Sequence, residues 1–173
     1  MARKILVAYF SRPGENYAGG GMVRLKTGNT AVAAQKLAAE TKGDLFEIRR
    51  VTPYADGYRA CVDESVRELK ENARPALAES PENLDSYDTV ILAYPCWCGT
   101  MPMPVWTFLE QYDFSGKTIL PLCTHEGSGM GKSEADLRKL CPGAQVKKGL
   151  AVVGSKVDGC GGVLADWVKT ELS

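Results

Sequence analysis

The chain has 173 residues, 45% apolar and 24% charged, the composition of a soluble globular protein rather than a disordered or fibrous one. Lys+Arg and Asp+Glu number 21 each, so the formal net charge is zero, and the basic excess of a whole-surface nucleic-acid or membrane binder is absent. The length fits one domain, residues 1–173, burying roughly 70% of its unfolded surface.

No apolar run reaches the ~20 residues of a membrane span. The basic start Met1-Ala2-Arg3-Lys4 precedes only six apolar residues, too few for a secretory signal, so a cytoplasmic location is expected. Those six, Ile5 to Phe10, are uninterrupted, as in a strand covered on both faces. Thr30 to Lys42 predicts a helix with Ala31, Ala34, Leu37 and Ala38 on one side and Gly43 as its stop. Leu45 to Val51 alternates, Phe46 and Ile48 against Glu47 and Arg49, which predicts an edge strand. Tyr58, Cys61, Val62, Val66 and Leu69 recur at helical spacing within an amphipathic helix over 55–72. Residues 74–86 read as a polar connection.

Thr89 to Tyr94 is a second buried strand. Pro104 suits the first turn of a short helix carrying Val105, Trp106, Phe108 and Leu109. Lys117 to Cys123 is a third apolar strand. Ser133 with Asp136 resembles a capping pair for a helix that holds Leu137 and Leu140 and stops at Pro142-Gly143. Val146 to Val153 is a last strand, and Val163, Leu164, Trp167, Val168 and Leu172 face inward on a closing helix. Strands alternating with helices predict an α/β fold, a three-layer sandwich around a parallel sheet of five strands. Ligands of such sheets bind beyond the carboxyl ends of the strands. The loops after Phe10, Tyr94 and Cys123 are therefore the ones to read.

The first loop delivers Thr27-Gly28-Asn29-Thr30 to a helix start, where free amides and hydroxyls bind an anion; a plain helix cap is the alternative. The second, Tyr94 to Pro104, packs a Trp, a Gly and three Pro residues after Tyr94. It offers a stiff aromatic platform for a flat heterocycle, or a Trp that simply covers the core. The third, Thr124 to Ser133, looks like a nucleotide loop, but Glu126 stands where the first glycine of that motif belongs. Nucleotide hydrolysis is thereby set aside. The six cysteines include no C-x-x-C, and the one histidine is His125, so a zinc site is not indicated. Cys61 and Cys123 read as buried free thiols. Cys96 and Cys98 read as thiols near the site, a strained redox pair being the alternative.

Together these loops resemble those of the flavodoxin-like family, whose members bind FMN. Lys4 to Arg12 followed by Thr27-Gly28-Asn29-Thr30 resembles the family's strand and S-x-T-G-N-T phosphate loop, here split by residues 13–26. Tyr94-Pro95-x-Trp97 with Gly99 resembles the loop that stacks on the flavin, and Thr124 with Gly127-Ser128-Gly129 the loop on the ring's other side. The likeness runs from Arg3 to Trp167 and implies strand order 2-1-3-4-5.

Carried over, it implies that Ser11, Thr27, Gly28, Asn29 and Thr30 bind the phosphate, with Arg12 adding charge. Trp97 would stack on the ring. Pro95, Cys96, Cys98, Gly99 and Thr100 would line its edge, with a carbonyl near Gly99 accepting from the reduced ring. Thr124, His125, Glu126, Gly127, Ser128 and Gly129 would hold the other side. His125 is a candidate proton handler, or a neutral loop histidine bonded to backbone. The glycines at 19–21 suggest a flexible insertion whose Tyr17 could fold over the ligand.

Three functions follow from the resemblance. They are electron transfer with a redox partner protein, NAD(P)H-dependent reduction of a small acceptor such as a quinone, and a scaffold without flavin. Oligomeric state stays open. Charge is unevenly spread: residues 1–52 hold nine basic and four acidic side chains, 53–90 four and nine, and 91–116 no cation at all. A cation-free flavin loop implies a low potential for the reduced flavin.

Overall fold

The structure, a computed structural model, describes residues 2–173. The central sheet runs β1 (Ile5–Tyr9), β4 (Asp44–Glu47), β5 (Thr89–Pro95), β6 (Thr118–His125), β7 (Gln145–Val146) and β8 (Leu150–Val153). All pairings within it are parallel, in the order β4-β1-β5-β6, with β7 and β8 both beside β6. Numbered by sheet strand, that is the 2-1-3-4-5 order expected.

Successive side chains of a strand point to opposite faces. Ile5, Val7 and Tyr9 therefore meet α1 (Asn29–Thr41) and α5 (Gly161–Leu172), through Ala33, Ala34, Leu37, Leu164 and Trp167. Leu6, Ala8 and Phe10 meet the other layer, Val105 and Phe108 of α3 (Met103–Gln111) and Leu137 of α4 (Ser133–Leu140). The fifth helix, α2 (Tyr58–Lys70), packs beside α3 and buries only Cys61 and Ser65. Leu37 is fully buried, so truncating it to Ala would cost about 2–5 kcal/mol. No described helix is long and apolar enough to cross a membrane.

Four expectations change. Residues 13–26 are an ordered antiparallel hairpin, β2 (Gly14–Ala18) with β3 (Gly21–Leu25). Its glycines serve the turn: Gly19 and Gly20 have φ of 63° and 87°, the handedness a two-residue hairpin turn requires. The last strand is two pieces. Between the pairs Ile119↔Val146 and Leu122↔Leu150, β6 advances three residues while its neighbour advances four. The extra residue bulges opposite Pro121, which has no N–H to give the ladder.

The capping pair does not form. Lys132 is the N-cap of α4; Ser133 Oγ donates to Met130 O (2.6 Å) and accepts from Tyr94 OH (2.9 Å), and Asp136 accepts from Thr100 Oγ1 (2.6 Å). Tertiary partners displace the local cap. Finally, the 74–86 connection is less irregular than it reads. Val51 N–H donates to Ala76 O and Ala78 N–H to Arg49 O, adding a short antiparallel partner to the chain leaving edge strand β4.

Candidate functional site

At the carboxyl ends of β1, β5 and β6 lies a cavity of about 330 Å³, within the range of small-ligand sites. Its floor begins where β1 meets α1. Ser11 Oγ accepts the Ala31 N–H (3.0 Å), capping the helix from a distant part of the chain. The first-turn amides of Asn29 and Thr30 have no intrahelical acceptor, and both residues line the cavity. Thr30 Oγ1 shares a buried hydrogen bond with Thr124 Oγ1 (2.7 Å), tying the helix start to β6.

Gly28 permits this junction. A Cβ there would sit 2.2 Å from Ser11 Oγ and 2.7 Å from Arg12 O, and the latter is backbone that must move. Gly28→Ala is expected to destabilise the protein by about 1–3 kcal/mol, as overpacking does. Denaturant unfolding checks this; an unchanged midpoint would show that α1 can retreat freely.

The aromatic wall is Trp97, held edge-on by Phe10 and Tyr54 at centroid distances of 5.0 Å each. The loop that presents it turns tightly: Trp97 N–H donates to Thr100 O and Thr100 N–H to Trp97 O, with Cys98 and Gly99 at φ 53° and 77°. Tyr54 is braced from behind. Its hydroxyl donates to Glu68, and the Arg50 guanidinium lies 3.6 Å over its ring. Burial and then the Glu68 carboxylate push the Tyr54 hydroxyl well above the usual phenol range.

The hairpin closes another side. Glu15 accepts the Tyr58 N–H at the start of α2 (2.9 Å), Arg24 pairs with both oxygens of Asp56, and Glu126 accepts the Gly19 N–H (3.2 Å). Tethered at both ends, β2 sets Asn16 and Tyr17 in the cavity wall next to Tyr58.

Of the residues expected from the sequence, Ser11, Arg12, Asn29, Thr30, Pro95, Cys96, Trp97, Thr124, His125, Glu126 and Ser128 line this cavity. Seven do not. Thr27 is exposed ahead of the helix and Gly28 lies behind it against β1. Cys98 is exposed on the outer side of the turn, and Thr100 is buried with its hydroxyl on Asp136. Gly99 itself turns its carbonyl to the Lys132 N–H (2.7 Å) at the start of α4. Gly127 and Gly129 shape the third loop without entering the wall.

Arg12 also differs from the expectation of a free charge. Its terminal nitrogens donate to the carbonyls of Glu15, Ala55 and Asp56, so it clamps the hairpin base to the segment before α2. Among the described residues it is the only Lys or Arg in the wall. His125 accepts the Gly127 N–H at Nδ1 (2.9 Å), which leaves Nε2 to carry the ring proton. Glu126 accepts from Ser155 N–H (2.8 Å) as well as from Gly19. Sequence reasoning missed Asn16, Tyr58 and Gly154. The signal for Gly154 was available, since the loop after the last strand opens on the same edge of the sheet.

The flavodoxin profile matches residues 4–171, and the chain belongs to the flavodoxin family. Among solved structures it is similar to the proposed flavoprotein of Bacteroides eggerthii DSM 20697, with 31% identity, TM-score 0.78 and 99% of each chain covered. The proposed flavoprotein of Bacteroides uniformis ATCC 8492 gives 29% identity and TM-score 0.76, covering 98% of this chain and 99% of that one. A flavoprotein from Lactobacillus acidophilus NCFM, solved in complex with FMN, shares the fold at 20% identity and TM-score 0.68, covering 91% and 97%. No curated protein matches the chain.

Proposed function

We propose that the chain is a redox protein of one domain, residues 1–173, that holds FMN non-covalently in the 330 Å³ cavity and transfers electrons through it. The observation that carries this reading is the cavity's polarity. One end is the start of a helix whose first amides lack intrahelical acceptors, with the Ser11 and Thr30 hydroxyls beside them, and the walls also include Trp97, Tyr17 and Tyr58. A phosphate at one end of a flat ring system matches that division. The donor set suits a dianion without a dedicated cation: Ser11, the Asn29 and Thr30 amides and the Thr30 hydroxyl, backed by the dipole of a 13-residue helix.

FMN bound there would supply one- and two-electron chemistry, while the protein sets access and potential. Ser11, Asn29 and Thr30 would hold the phosphate. Trp97 would present a face to the ring, kept upright by Phe10 and Tyr54. Thr124, Glu126 and Ser128 would form the opposite wall, with His125 fixing the turn through Gly127 N–H. Arg12, Glu15 and Glu126 would keep the hairpin over the ligand and so limit water at the ring.

Among the described residues Arg12 is the only Lys or Arg of the wall and its terminal nitrogens are directed at three carbonyls, Glu126 is an acid, and residues 91–116 contain no Lys or Arg. Negative charge added to the ring therefore meets one cation, turned toward those carbonyls, and one acid. The potential for the second electron should lie below that of free FMN, and a redox titration that puts it at or above that value would contradict this reading.

The partner is proposed to be a redox protein. Direct reduction by NAD(P)H with a quinone-like acceptor is the competing reading, and it is separated by experiment. The full chain loaded with FMN is mixed with NADH or NADPH and an artificial quinone. The carrier reading expects no sustained turnover; sustained NAD(P)H oxidation would replace it with the oxidoreductase reading.

A further inference from the structure

Thr30 lies in the first turn of α1 and Thr124 near the end of β6, 94 residues apart in sequence, yet their hydroxyl oxygens are 2.7 Å apart. Both residues line the cavity, and they are only 2% and 4% exposed. The pair holds two hydroxyl protons, and the one hydrogen bond between them uses one. Neither hydroxyl has another partner among the described residues. One buried O–H therefore remains as a donor, and a buried donor without an acceptor is costly. The cavity that both residues line is where an acceptor reaches it.

Ser11 repeats the pattern. Its Oγ accepts the Ala31 N–H (3.0 Å), so the proton it keeps is also a donor. With the first-turn amides of Asn29 and Thr30, the helix start offers a set of donors to the cavity.

We propose that Thr124 is a positioning residue of this anion site: its hydroxyl donates to Thr30 Oγ1 and so commits the Thr30 proton to an oxyanion at the helix start, the phosphate ester of the flavin. The identity of the ester rests on the function proposed above, whereas the leftover proton is a property of the chain alone. The direction of the bond follows from charge. A hydrogen bond to an ionised acceptor is roughly twice as strong as one between neutral groups, and the positive end of the helix dipole places the oxyanion beside Thr30. A hydroxyl that accepts one hydrogen bond is also polarised into a better donor.

Thr124 suits the role because the sheet holds its backbone on both sides. It is in register with Pro95 of β5 and Val152 of β8, and its carbonyl accepts the Cys96 N–H (2.9 Å). A central strand thus orients a hydroxyl on the first helix. In the opposite direction Thr30 would donate to Thr124, and the free proton would sit on the β6 side, for the ring or its ribityl chain.

FMN and riboflavin, which lacks the phosphate, separate the two directions when titrated into the full flavin-free chain. Thr124→Val removes the hydroxyl at nearly constant shape. FMN affinity is expected to fall about 2- to 13-fold, the net worth of one hydrogen bond, with riboflavin affinity unchanged. Thr124→Ser keeps a hydroxyl and is expected to restore most of the FMN affinity, a rescue that a packing role would not show. Equal losses for FMN and riboflavin, no loss for either, or no rescue by serine each overturn the proposal. Thr124→Ala is expected to show the same split and replaces the valine variant should that one not fold.

Inorganic phosphate distinguishes failure of this inference from failure of the FMN reading. If the parent chain binds no FMN, the function proposed above fails, and phosphate titrated into the flavin-free chain and followed by phosphorus NMR still decides. Phosphate that binds more weakly to Thr124→Val than to the parent upholds the positioning role. Phosphate that binds both equally, or neither, overturns it.

Discussion

Trp97→Ala is expected to weaken FMN binding by roughly 5- to 150-fold, the 1–3 kcal/mol that an aromatic face contributes to stacking a heterocycle. Two features of the structure make this the most sensitive side chain of the wall. Trp97 is held at 5.0 Å by both Phe10 and Tyr54, so its ring is ordered before a ligand arrives and little rotamer entropy is lost on binding. It also stands on a two-residue turn whose backbone pairs Trp97 with Thr100 in both directions. Trp97→Phe keeps a smaller face and should fall between the two. Titration of each variant with FMN checks the series, and equal affinity in Trp97→Ala would remove the stacking role.

The second large effect is on stability. Arg50→Ala is expected to cost about 2–3 kcal/mol, somewhat below a fully buried pair because the site keeps some solvent contact. Arg50 reaches Glu64 (2.6 Å) and Glu68 (3.2 Å) with its side chain only 14% exposed, and it also donates to the carbonyls of Thr52 and Pro53. Its removal strands two carboxylates against α2 and releases Tyr54, the residue that braces Trp97. Flavin affinity should therefore fall too, although Arg50 is remote from the cavity. Restoring neutrality in Arg50→Met with Glu64→Gln and Glu68→Gln should recover much of the loss, because the penalty is unpaired charge. A single Arg50→Ala variant as stable as the parent would contradict this account.

The same cluster sets a pH response. Burial alone would raise the Glu64 carboxyl, but hydrogen bonds from Arg50 and from the Ala55 N–H outweigh it and hold the group below the usual carboxylate range. A group depressed in the folded state contributes stability that is present above its unfolded value, ~4.3 for Glu, and lost as pH falls through the lower folded value. The stability difference between the parent and Glu64→Gln should thus be constant near neutrality and close below about pH 4. Denaturation curves across that range read it directly.

The fold was legible because its strands are uninterrupted apolar runs and its helices carry one apolar face; Ile5 to Phe10 and the Ala-rich α1 could hardly be anything else. Residues 13–26 misled because three successive glycines read as flexibility, when two of them serve the turn of a hairpin. What orders that hairpin is long-range: Glu15 to Tyr58 N–H, Arg24 to Asp56, Glu126 to Gly19 N–H. Periodicity carries no trace of such bonds. The Ser133 capping pair failed for the same reason, since Tyr94 and Thr100 claim its two side chains from other elements.

In the site, the loops at the strand ends were readable from their glycines, prolines and hydroxyls. Which side of each loop faces the ligand was not. Cys96 faces in and Cys98 out because one tight turn separates them, and Arg12, the obvious partner for a phosphate, is instead occupied by three carbonyls.

The central claim is that a helix start and a braced tryptophan make one FMN site. Titrating flavin-free full-length chain with FMN, with Ser11→Ala beside it, tests this most directly. Saturation at one FMN per chain is predicted, with an affinity about three- to thirty-fold weaker in Ser11→Ala, the 0.5–2 kcal/mol of a lost cap contact. FMN that fails to saturate the chain, or saturates it with no dependence on Ser11, would contradict it.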